Sequence, residues 1–153
     1  MRFISKHISW REATHSATAE KKEIENTPNE GAVQNMKKLA KNVFEPLREW
    51  AGEPIRVNSF YRSPDLCDAI RSKRTSQHTK GQAIDIDATG MKTNAELFNY
   101  IKDELDFDQL IWEHGDDDNP DWVHVSYVGP RANRGNVLRA VKKGRKTTYE
   151  IYV

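Results

Sequence analysis

The chain is short of thiols, of long apolar runs and of net charge. Cys67 is its only cysteine, so no intrachain disulfide can form and the fold must rest on its core. No segment approaches the ~20 consecutive apolar residues of a membrane helix, which argues against membrane insertion. Met1 to Trp10 contains no apolar run of signal-peptide length. The chain is therefore expected to be made in the cytoplasm and to act elsewhere only after release or export by another route. With 24 Lys and Arg against 23 Asp and Glu, the formal charge is +1. Such a chain has no global field to draw it onto nucleic acid or an anionic membrane, and it carries no nucleic-acid-binding motif. Internal repeats are absent, and the only low-complexity tract is Asp116-Asp117-Asp118.

What is present suits a soluble globular domain. At 153 residues the chain is long enough for one domain with a real core, expected to span 1–153 and to be monomeric. Four Trp, five Tyr and five Phe are too many aromatics for a disordered chain. Charge is uneven along it. Glu113, Asp116, Asp117, Asp118 and Asp121 form an acidic cluster, and the stretch Arg131 to Lys146 has seven basic residues and no acidic one. Most of these charges are expected to be solvated surface. The alternative role for the basic stretch is contact with an anionic polymer.

Local patterns give the elements. Ser9 and Glu12 have capping-box spacing, placing a helix start near Trp10, and Thr93 with Glu96 opens another helix running to about Leu105. Val33, Met36, Leu39, Ala40, Val43, Phe44, Leu47 and Trp50 recur at three and four residues and predict one long amphipathic helix. Pro46 should kink it or end its regular part, and Gly52 sits where a C-cap glycine belongs. Ile55–Tyr61, Gln82–Ala88, Asp108–Trp112 and Trp122–Val128 are strand candidates. Val137–Val141 and Thr147–Tyr152 are expected to pair as a hairpin around Lys143-Gly144. Pro64–Arg71 fits a short helix. Helices first and strands later imply an α+β fold, with helices packed on a mostly antiparallel central sheet.

Two of the five histidines lie where metal chemistry would want them. His78 is in a polar loop feeding the Gln82–Ala88 strand, Asp85 is on that strand, and His124 is on the Trp122–Val128 strand. Two imidazoles and a carboxylate suit zinc and leave a fourth position for water, although single histidines on strands are commonly structural. The surrounding pattern adds specificity. Ser76 to Asp85 reads S-x-H-x-x-G-x-A-x-D, Asp121 to His124 reads [E/D]-x-x-H, and Arg62 precedes both within Phe60-Tyr61-Arg62-Ser63-Pro64. Gly81 would permit a backbone turn closed to side chains, and Ala83 keeps the Asp85 face uncrowded.

These motifs resemble those of the M15 family of zinc D-Ala-D-Ala carboxypeptidases and dipeptidases and the related phage cell-wall peptidases, which have the hedgehog-like D,D-peptidase fold. The resemblance is strong from about Pro54 to Val128. It implies one Zn²⁺ per chain on His78, Asp85 and His124, with Asp121 as catalytic base and Arg62 holding a substrate carboxylate or stabilising an oxyanion. The family more often has Glu at the place of Asp121. Strict strand alternation sets Asp121 and His124 on opposite faces, so the chain near Pro120 must bend if Asp121 is to serve. Ser76 and Trp122 are further candidates for substrate contact. Asp87 and His114 are weaker candidates, and Trp112 and Tyr127 fit either cleft wall or core. The implied activity is hydrolysis of peptidoglycan stem peptides, in the setting of a phage or prophage lysin. The alternative is a non-catalytic, zinc-containing cell-wall-binding module of the same fold.

Overall fold

A computed structural model describes residues 2–153. Its first part is helical, as the local signals require. After a small hairpin of β1 (Phe3–Ser5) and β2 (Ile8–Ser9), helix α1 (Trp10–Thr14) begins at the Ser9–Glu12 capping box, in which both reciprocal bonds form. Short α2 (Ala17–Lys21) follows, and then α3 (Glu30–Leu39), capped by the Asn29 side chain. The apolar stripe continues beyond α3, but the helix does not stay regular. Residues Ala40–Phe44 form a π-helical turn before α4 (Glu45–Ala51). Pro46, in the first turn of α4, has no N–H to give to the preceding turn, and the widened turn accommodates that loss. Gly52 then closes α4 with a left-handed φ of 69°.

The second part is a six-stranded sheet in the order β3 (Ile55–Ser59), β4 (Ala83–Ala88), β6 (Trp122–Ser126), β5 (Gln109–Glu113), β7 (Asn136–Lys143), β8 (Lys146–Ile151). All pairings are antiparallel except β5 with β7. The expected α+β architecture and the closing hairpin are thus both present. Helix α5 (Pro64–Ala69) follows β3, and α6 (Asn94–Glu104) starts at the Thr93–Glu96 capping box and packs across β4, β5 and β6.

Alternation along the strands gives the sheet two different faces. Ile84 and Ile86 of β4, Val123 and Val125 of β6, and Leu110 and Trp112 of β5 are buried in the core with α3, α4 and α6. Phe98 of α6 meets Trp112 edge to face at 5.2 Å, and burial of such a ring contributes roughly 1.5–3 kcal/mol. Trp112 and Tyr127 are therefore core, not cleft wall. The opposite face presents Asp85, His124, Ile111 and Glu113, which neighbour one another through the register Asp85↔His124↔Ile111 and Trp122↔Glu113.

Gly81 locks the loop before β4 onto the helical layer. Its φ is 73°, and a Cβ there would stand 2.3 Å from the Ala32 carbonyl oxygen of α3. Gly81→Ala is expected to cost at least about 2 kcal/mol, from the strained φ and the backbone collision together. Urea unfolding measures this directly, and wild-type stability in the variant would refute the close approach.

Candidate active site

His78 lies in a 3₁₀ turn, Gln77–Lys80, whose first free amides are capped by Ser76: its Oγ accepts from His78 N at 3.2 Å. The buried ring is then fixed by the Phe60 carbonyl, 2.7 Å from Nδ1. Since a carbonyl only accepts, Nδ1 carries the proton and Nε2 keeps its lone pair. Nε2 faces Asp85 Oδ2 at 3.4 Å, while the other carboxylate oxygen lies 2.9 Å from His124 Nδ1. One ligand atom from each of these three residues falls within 4.8 Å of the others.

The electrostatics match that arrangement. Burial disfavours charge on His78 and lowers its pKa below the ordinary histidine value despite the nearby carboxylate. Burial pushes the Asp85 carboxyl the other way, but charge and hydrogen bonds from His78 and His124 outweigh it and hold the group well below the usual carboxylate range. A neutral imidazole and an ionised carboxylate are the ligand forms a divalent metal requires. The Nδ1–H to carbonyl bond of His78 is the kind of outer contact that orients a metal-bound histidine. Two nitrogen donors and one oxygen donor, pre-aligned and shielded, therefore fit zinc.

Arg62 borders the cluster. Its Nη2 donates to Asp85 Oδ2 at 2.8 Å and its Nε to Ser59 Oγ at 2.9 Å. Asn26 secures the main chain on both sides of it, donating to the Tyr61 carbonyl and accepting from Ser63 N. That explains how an arginine outside any regular strand is held in one place.

The cluster opens into a cleft of about 780 Å³, lined among others by Arg62, His78, Asp85, Glu113, Trp122 and His124. Glu113 corrects the expectation of a solvated acidic cluster. It ends β5, opposite Trp122 and on the His124 face, and only 7% of it is exposed. Burial raises its pKa to about 7; the Asp85 charge adds to the rise, and His124 and Arg62 oppose it. Asp116, Asp117 and Asp118 are exposed as expected.

Asp121, expected as the catalytic base, is not brought to the cluster. It precedes β6, its side chain is exposed, and it borders a neighbouring depression with His114, Gly115 and Trp122. Its backbone is tied at both ends, N to the Glu113 carbonyl at 2.9 Å and O to the buried Asn94 side chain at 3.1 Å. The chain does bend at Asp121, just before β6, but the bend leaves its side chain exposed beside the neighbouring depression and not in the cleft.

The other candidates divide. Ser76 and Trp122 both line the cleft, but the oxygen of Ser76 is engaged by the His78 amide. His114 also lines the cleft, with Nε2 3.9 Å from a Glu113 oxygen. Asp87 is no metal ligand here, since it accepts from Asn58 and Asn94. His7 is engaged with Glu45, and His15 is exposed beside Glu20. Sequence reasoning missed Glu113, and it treated Arg134 and Tyr149 only as members of a basic stretch and a hairpin; all three line the cleft.

Among the described residues no helix is long and apolar enough to cross a membrane. Comparison with curated proteins returns no match. A family model described as Peptidase M15 matches residues 6–126. That span ends with β6 and includes His78, Asp85, His124, Arg62 and Glu113, so the buried cluster lies wholly within the matched region, while Arg134, Leu138, Thr147 and Tyr149 line the cleft from beyond it. The chain belongs to the peptidase M15 family of zinc-dependent hydrolases.

Proposed function

We propose that this chain hydrolyses peptide bonds in the stem peptides of bacterial peptidoglycan, as a D,D-carboxypeptidase or a related endopeptidase, with one zinc ion on His78, Asp85 and His124. The observation that carries catalysis is Glu113, a buried carboxyl in the cluster's own cleft with a pKa near 7. A binding module would have no use for a poised acid–base group there, and this favours the enzyme over the module.

Zinc bound at the cluster would supply Lewis acidity, polarising the scissile carbonyl and making water easier to deprotonate near neutral pH. Glu113, in place of Asp121, takes the proton of the attacking water and delivers it to the departing amine. Arg62, pinned by Ser59 and Asp85, offers positive charge to the oxygen of the tetrahedral intermediate. Trp122 walls the cleft next to Glu113, and Ser76 acts by holding His78 in position. Peptidoglycan as substrate, and a phage or prophage lysin as setting, rest on the motif resemblance.

Digestion of purified muropeptides by zinc-loaded protein, followed by mass spectrometry, tests this reading. Loss of one terminal residue identifies a carboxypeptidase, and two multi-residue fragments identify an endopeptidase. Protein that holds one zinc per chain yet cleaves no muropeptide would be a binding module instead.

A further inference from the structure

The cleft extends past the His78–Asp85–His124 cluster to a second built feature, in which Arg134, beyond the family match, is anchored by residues within it. Asp108, 2% exposed, stands at the foot of β5. Its Oδ1 accepts from Arg134 N and Nε, both at 3.0 Å, and its Oδ2 accepts from Arg134 Nη2 at 2.8 Å and from Gln77 Nε2 at 2.9 Å. One buried carboxylate thus fixes a guanidinium through its backbone and through two of its nitrogens. It also ties that guanidinium to the residue immediately before His78. The Arg134 side chain nevertheless stays 55% exposed and lines the cleft, and its Nη1 has no protein partner among the described residues.

Apart from Arg62, which pairs with Asp85, the cleft's fixed positive charges lie in other segments than its acids. Its acidic lining residues are Asp85 and Glu113, while Arg71 and Lys73 line it from the segment leading into Gln77. Sheet register gives the spacing. The row of Asp85, His124 and Ile111 is flanked on one side by the Glu113 row and on the other by the row of Ser126, Gln109 and Asn136, with Arg134 just beyond. Rows on one face are two residues apart, roughly 7 Å, so Arg134 lies roughly 7–14 Å from the metal row. That is the reach of two to four extended residues.

We propose that Arg134 is a specificity residue, a pre-set guanidinium that receives a carboxylate of the peptide substrate two to four residues from the scissile bond. This deepens the peptidase reading and rests on it. A guanidinium held rigidly by Asp108 loses little freedom on accepting a second carboxylate, and Arg71 and Lys73 favour the same charge. Arg134 is the one residue of the basic stretch that the Asp108 anchor turns to this use; Lys142, Lys143, Arg145 and Lys146 are solvated on the hairpin.

The test is calorimetric binding to zinc-loaded Glu113→Gln protein, which does not depend on turnover. The probes are a five-residue peptide of alternating L and D residues with one glutamate carboxylate, and the same peptide with that carboxylate amidated. The carboxylate is moved along the peptide in successive pairs. At the best position the free carboxylate should bind about tenfold more tightly at low salt. The ratio should fall to near one with Arg134→Gln and be partly kept with Arg134→Lys. Because Arg134→Gln strands a buried charge, Arg134→Gln with Asp108→Asn is made alongside it, and a thermal melt of each variant reports folding. Equal affinity for both peptides at every position, or a ratio that survives loss of Arg134, overturns the proposal. A binding ratio that behaves as expected while wild type cleaves no muropeptide would defeat the hydrolase reading and leave the carboxylate clamp standing. Cleavage of both peptide forms with equal kcat/KM and no binding ratio would do the reverse.

Discussion

Replacing Glu113 with Gln is expected to lower kcat on muropeptides by about 10²–10⁴-fold, the range supplied by general acid–base catalysis, while KM and zinc content stay near wild type. Glutamine keeps the shape of the side chain but cannot take a proton. Asp121→Asn should stay within about twofold of wild type, since that side chain lies outside the cleft. A collapse with Asp121→Asn and none with Glu113→Gln would return the base to Asp121. The pH profile gives an independent reading. The base works only when ionised, so activity should rise with pH through a limb at or below about 7, because a divalent cation beside Glu113 draws its pKa down. That limb should vanish from the residual activity of Glu113→Gln.

The same substitution should act oppositely on stability. In metal-free protein the Glu113 carboxyl goes from an ordinary 4.5 to about 7 on folding. A raised carboxyl costs nothing below the unfolded value, costs progressively more between the two values, and costs its full amount above the folded one. Such a shift corresponds to about 3 kcal/mol. Metal-free Glu113→Gln should therefore be more stable than wild type above pH 7, by up to that amount, and indistinguishable near pH 4. Loss of activity with gain of stability distinguishes a functional carboxyl from a structural one.

Glu113 also shows how far the sequence can be read. Features decided within a few residues were legible: both capping boxes, the Gly52 cap, the alternation of Ala83 to Ala88, and the hairpin turning at Gly144. The His78–Asp85–His124 set was legible because motif spacing carries it. Glu113 was grouped with the aspartates that follow it in Asp116 to Asp118, and the strand was ended one residue early. Continuing the period of two from Gln109 through Ile111 puts Glu113 on the Ile111 face. That face becomes the His124 face only when β5 pairs with β6, which no local pattern dictates. The parallel pairing of β5 with β7 is likewise tertiary, and so is the role of Asp108 at their shared edge. The π-turn at Ala40–Phe44 was foreshadowed by Pro46, but which way the helix would yield depends on the packing around it. Asp121 was chosen by motif spacing, but its place is set by the bend before β6 and by its backbone bonds to Glu113 and Asn94, which leave its side chain outside the cleft.

Asp85→Asn should have the second large effect, loss of the metal. Elemental analysis should fall from one zinc per chain in wild type to near none at matched protein and zinc concentrations, with affinity reduced by at least the roughly 100-fold that loss of a mere outer-shell partner can cost. His78 and His124 would remain, but two neutral imidazoles lack the anionic donor that offsets the cation's charge. Retention of a full zinc equivalent would show that the metal does not use this cluster. In metal-free protein the stability effect has the opposite sign from that of Glu113→Gln. The Asp85 pKa is depressed on folding, so its contribution is present above the unfolded value of ~3.9 and is lost as pH falls below it. Asp85→Asn should consequently destabilise the protein at neutral pH, where Arg62 and His124 lose a charged partner, and the gap to wild type should narrow progressively as pH falls below 4 towards the depressed folded value. Two carboxyls on neighbouring rows of one sheet face are thus driven apart by their surroundings. Both are buried, but hydrogen bonds from Arg62, His78 and His124 keep Asp85 ionised to hold a metal, whereas Glu113, without such partners, is left by burial near neutrality, where it can both accept and return a proton.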